Sequence, residues 1–177
     1  MPGMRGVQRD LPLFYKKHRL PKEQRRESMK NFFDALKKDI AKYEGRHDDF
    51  IYLAPEWYRL MTNLLDDARL PARLRPLVAC AIAYFVMPAD IIPEELYGPY
   101  GYIDDIFLCA FVAREVGRRA GDPDLLVENW RGEGEVLKII DEVLAKEEEF
   151  IGKNRERLLK YTGCAEVLKG LGKGRKQ

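Results

Sequence analysis

Apolar residues recur at three- and four-residue steps along most of the chain, the spacing of one helix face. Met29, Phe32, Phe33, Leu36, Ile40 and Tyr43 make the first such stripe and predict a helix over Lys22–Glu44, with Pro21 at its entrance and Gly45 past its end. Trp57, Leu60, Met61, Leu64 and Leu65 predict a second over Pro55–Ala68. The third, Pro71–Met87, is apolar nearly all round from Leu77 onward, which predicts the central and most buried helix. A loop with three prolines, Pro88–Tyr100, separates it from a fourth helix, Gly101–Ala120, closed by Gly121. Asp122-Pro123 signals a short helix reaching Trp130. A long helix over Glu133–Gly152 and a further piece over Arg155–Leu168 follow. No stretch alternates strictly enough for a strand. The expected fold is an all-α, single-domain bundle of about six helices around a central apolar hairpin.

The organisation expected is an irregular basic arm over 1–20, a helical domain over 21–169 with the hairpin at 70–116, and a disordered basic tail over 170–177. With 177 residues, 46% hydrophobic and 34% charged, one core suffices and a collagen-like or disulfide-scaffold chain is excluded. The net charge of +2 hides an asymmetry. Residues 1–26 carry +6, residues 169–177 carry +4, and the body between them carries −8. Basic ends either solubilise, folding back on the acidic body, or neutralise phosphates of RNA or of an anionic membrane.

Cys80, Cys109 and Cys164 read as reduced thiols, the first two within apolar runs. A Cys80–Cys109 bridge is available only if their segments pair. No Cys/His spacing resembles a zinc site, and no nucleophile–base set or phosphate loop stands out. Trp57 and Trp130 read as packing residues, and Glu147–Glu149 as a solvated helix face. The apolar run Leu77–Met87 covers roughly 16 Å as a helix against about 30 Å of hydrocarbon, too short to span a bilayer. No signal peptide is visible. The expected location is cytoplasmic, with a position peripheral to a membrane as the alternative.

The segment with most chemical information is Tyr84-Phe-Val-Met-Pro88-Ala-Asp90-Ile-Ile-Pro93-Glu94-Glu95, followed by Gly101-Tyr-Ile-Asp104-Asp105. Its carboxylates adjoin very apolar helices and need partners, because an unpaired buried charge costs several kcal/mol. Three readings stay open. The acids cap and lock the hairpin, with Asp104 and Asp105 complementing the positive end of their helix. Alternatively Asp90, Asp104 and Asp105 hold a divalent cation through oxygen ligands. In the third reading the acids pair with Arg73, Arg75 or a basic partner.

These residues resemble the signature of the YkvA-like family, also known as domain of unknown function 1232. Pro88, Asp90, Ile92, Pro93, Gly101, Asp104 and Asp105 match its pattern, and Glu94 replaces an Asp with its charge kept. Glu95 departs from it, standing where the family carries an apolar residue, and the loop is one residue longer. The resemblance covers about 70–116 and implies an acidic hairpin site of Asp90, Glu94, Glu95, Asp104 and Asp105, shaped by Pro88, Pro93 and Gly101. It implies no reaction, and it keeps membrane association open.

The function expected is a non-enzymatic interaction module without cofactor. Its contact is a protein partner, through the acidic hairpin end or the basic arms, with room for a homo-oligomer. The alternatives are a carboxylate-dependent phosphoester hydrolase and an adaptor on RNA or anionic membrane. The hydrolase would use a divalent ion on Asp90, Asp104 and Asp105, with Glu94 or Glu95 as base. The adaptor would use the basic ends.

Overall fold

A computed structural model describes residues 22–42, 49–87, 98–146, 149 and 151–173. Among these residues the fold is all-α, with eight helices and no strand. They are α1 (Lys22–Ala41), α2 (Ala54–Asp66), α3 (Arg75–Phe85), α4 (Ile103–Ala120), α5 (Leu125–Asn129), α6 (Val136–Ala145), α7 (Asn154–Tyr161) and α8 (Cys164–Lys173). Short 3₁₀ turns at Asp49–Leu53, Ala72–Leu74 and Gly98–Tyr102 lead into α2, α3 and α4.

α4 is the axis of the fold. Thirteen of its residues are buried, from Ile103 through Val116 with only Arg114 half-exposed in that run. It packs against α2, α3, α5, α6 and α7. This corrects the expectation that the Leu77–Met87 helix lies at the centre. α3 buries Leu77, Val78, Ala81, Ile82, Tyr84 and Phe85. Ala79, Cys80 and Ala83 on its other side are only half-buried, small residues under a thinner cover.

α1 docks through its predicted stripe, with Phe33, Leu36 and Ile40 buried. The Phe32 and Tyr58 rings lie 4.7 Å apart, and the Arg59 guanidinium sits 3.9 Å over Phe33. Tyr43 of that stripe lies outside the described residues. Trp57 and Trp130 are both buried, with rings 5.3 Å apart, and so pack α2 against the end of α5.

Proline and glycine account for most differences from the expected boundaries. The predicted third helix starts as a 3₁₀ turn, and α3 opens only at Arg75, which places Pro76 in the first turn where its missing N–H is not needed. Asp122 accepts a hydrogen bond from the Asp124 N–H (3.0 Å), an Asx turn that precedes α5 rather than capping it. Gly134, at φ +81, keeps α6 from starting before Val136. Gly163, at φ +79, divides the predicted 155–168 helix into α7 and α8. α8 then continues to Lys173, into the stretch expected to be a tail, because Val167, Leu168 and Leu171 pack on the core.

The end of the hairpin where α3 begins and α4 finishes is closed by arginines. Arg75 donates to the carbonyls of Leu65 (2.6 Å) and Asp67 (2.9 Å), and Arg73 to that of Arg119 (2.6 Å). Asp67 accepts from the Arg69 side chain (Nη2, 2.8 Å), from Asn129 Nδ2 (2.8 Å) and from the Arg69 backbone N–H (2.9 Å). Arg69 also reaches Glu128 at 2.6 Å. These bonds, the Arg69 side chain first, hold the Asp67 carboxyl well below the usual carboxylate range. Its contribution to stability is therefore complete above the unfolded value of about 3.9 and is lost as pH falls toward the lower folded value. Urea unfolding followed from neutral pH down to acid should show a shallower acid limb for Asp67→Asn than for the wild type.

Candidate functional site

At the opposite end of the hairpin, the 3₁₀ turn Gly98–Tyr102 delivers the chain into α4, and Asp104 and Asp105 fall in its first turn. Tyr102 stands at the N-cap without a side-chain cap bond, so the first-turn carboxylates meet the positive end of the helix. Both are deeply buried, at 1% and 2% exposure. Tyr84, from the last turn of α3, donates its hydroxyl to Asp104 Oδ2 at 2.5 Å. This bond ties the finish of one apolar helix to the start of the next. The Tyr84 ring in turn meets Tyr161 of α7 edge-on, with centroids 6.3 Å apart.

Asp105 faces along the helix toward Cys109, one turn on. Burial pushes the fully enclosed Cys109 thiol well up, and the Asp105 charge pushes it further. A third carboxylate joins the region from α1. Tyr102 donates its hydroxyl to Asp39 Oδ2 (2.6 Å), and Lys42 donates to Oδ1 (2.7 Å). Burial opposes the charge on Asp39, but the bonds from Lys42 and Tyr102 outweigh it and hold the carboxyl below its ordinary value. Neither Asp39 nor the role of Tyr102 as its donor is marked in the sequence. Nothing in local periodicity marks an acid on α1 as a partner of a tyrosine 63 positions away.

Asp104 and Asp105 are thus brought together beneath the helix start, beside the buried Gly101. Asp90, Glu94 and Glu95 lie outside the described residues, as do Pro88 and Pro93. Arg73 and Arg75 do not pair with Asp104 or Asp105. Both arginines bond backbone carbonyls at the other end of α3, about 14 Å of helix rise from Tyr84. Among the described residues no group of three or more His, Cys, Asp or Glu is placed to hold a metal ion, and no helix is long and apolar enough to cross a membrane.

Residues 75–111, from the first residue of α3 to the middle of α4, match the family described as "Protein of unknown function (DUF1232)". Similarity extends well beyond the hairpin in "Uncharacterized protein ORF9" of Methanothermobacter thermautotrophicus, 32% identical over 134 residues, which are 75% of this chain and 90% of that protein. The chain belongs to the DUF1232 family. No solved structure matches it. The DUF1232 segment holds Tyr84, Gly101, Asp104, Asp105 and Cys109, so the hairpin and its tyrosine–aspartate bond fall within the matched region. The likeness to this relative covers more of the chain than the motif resemblance and so takes in residues outside the hairpin.

Leaving a buried charged acceptor without its donor costs about 1–3 kcal/mol. Tyr84→Phe should lower the unfolding free energy by that amount in urea denaturation. Tyr102→Phe should cost less, because its partner Asp39 retains 34% side-chain exposure.

Proposed function

We propose that this DUF1232 protein is a non-enzymatic helical interaction module, with the α3–α4 hairpin end as its contact with a protein partner. The observation that carries this reading is the withdrawal of Asp104 and Asp105 from solvent. Carboxylates that serve a diffusing substrate have to be reached by it. These two instead brace the junction of two apolar helices, one through the Tyr84 hydroxyl and both against a helix start. Among the described residues, the braced end carries two exposed tyrosines: Tyr100 at 37% exposure in the turn entering α4, and Tyr161 at 52% with its ring against Tyr84. Tyrosine suits such a contact, having a large apolar body, a polar tip and few rotamers to lose.

Light scattering and affinity capture, with any captured protein reconstituted from purified components, test this on the wild type and on a Tyr100→Ser/Tyr161→Ser variant. The expected result is a defined complex, or a self-associated form, lost in the variant while its melting temperature is unchanged. A complex that survives in the variant but vanishes when 1–20 and 174–177 are removed would move the contact to the basic arms. Calorimetry with Mg²⁺, Mn²⁺ and Ca²⁺ should give no binding heat. Heat that disappears in Asp104→Asn would sink the non-enzymatic reading in favour of a divalent-metal hydrolase.

A further inference from the structure

The three cysteines are not equivalent. Cys109 is enclosed in α4, and Cys164 is enclosed at the start of α8, while Cys80 on α3 is half-buried. The chain turns back onto α3 at Gly163, whose left-handed φ of +79 suits glycine. A Cβ built on Gly163 would stand 3.9 Å from Cys80 Sγ, so the backbone beside Cys164 rests directly against that thiol. α8 packs on α3 here, and the Cys80 and Cys164 thiols stand close enough for each to shift the other's ionisation. The Cys164 backbone N–H is held by Thr162 Oγ1 at 3.5 Å. This is a pairing different from the Cys80–Cys109 bridge considered from the sequence.

The two thiols also differ in acidity. The neighbouring Cys164 lowers the pKa of Cys80 against the opposing effect of burial. The neighbouring Cys80, and then burial, raise that of Cys164. A half-buried, more acidic thiol beside an enclosed one is the arrangement of an attacking and a resolving cysteine.

We propose that Cys80 and Cys164 are a reversible dithiol–disulfide site that takes hydrogen peroxide as oxidant. The Cys80 thiolate attacks one peroxide oxygen and the O–O bond breaks. Cys80 becomes a sulfenic acid, and the leaving hydroxide takes up a proton as water. Cys164 then gives up its proton and attacks the Cys80 sulfur. The S–O bond breaks, the S–S bond forms, and the hydroxide leaves as a second water. Two thiols are oxidised and one peroxide is reduced to two waters. The bond joins α3 to α8 and so fastens the C-terminal helix to the hairpin. An external dithiol reverses it by exchange.

The full chain, purified reduced, is treated with one equivalent of hydrogen peroxide. Remaining thiols are then alkylated in denaturant and the peptides are mapped without reduction. The expected product has lost two hydrogens, contains a Cys80–Cys164 linkage with Cys109 alkylated, melts at a higher temperature than the reduced form and returns to it with dithiothreitol. The linkage should persist in Cys109→Ser and be absent in Cys80→Ser. Cys80 halted as a sulfenic or sulfinic acid with Cys164 alkylated, a linkage through Cys109, or no reaction at all would each overturn the proposal. The map of the wild-type chain decides the matter even if a variant does not fold.

Discussion

Two carboxylates stand inside this protein where an apolar helix ends and another begins, and the cost of keeping them there shapes that whole region. Burying an ionised carboxylate costs several kcal/mol unless its oxygens are satisfied. The chain meets this cost with a helix start, which supplies partial positive charge, and with the Tyr84 hydroxyl, which reaches Asp104 from α3. An apolar pair would hold the two helices together as well but would not fix which residue faces which. A directional bond at 2.5 Å does fix it. A second tyrosine–carboxylate bond, Tyr102 to Asp39, seats α1 against the same helix start.

The two ends of the hairpin are closed by different chemistry. One uses buried acids with tyrosine donors; the other uses arginines that spend their donors on carbonyl groups and on Asp67. Carbonyls at the ends of α2 and α4 lack intrahelical partners, and guanidinium groups satisfy them there. This explains why Arg73 and Arg75 do not neutralise the aspartates: their positive charge is already committed at a helix length away.

Much of this architecture was legible in the residue order, because it rests on local rules. The stripe of Phe33, Leu36 and Ile40 and the unbroken apolar surface after Leu77 identify helices that do form. The motif acids at 104 and 105 are also where a first helical turn places them. What was not legible depends on contacts distant in sequence. The greater burial of α4 over α3 comes from the number of helices packed around it, which periodicity does not encode. The division at Gly163 was missed because a glycine inside an apolar pattern reads as tolerated, while here it takes a left-handed conformation. Asp39 gave no signal at all, since an acid on the polar side of a helix is ordinary until its partner is known.

The near-complete enclosure of α4 sets an order on how the molecule loosens. A helix packed on every side exposes its amide hydrogens only when its neighbours leave, so its protons exchange with solvent through the largest openings. α7 packs on it and α8 packs on α3, so these two C-terminal helices lie against the hairpin. They form a natural separate unit of opening, one that comes away and returns while the hairpin beneath stays shut.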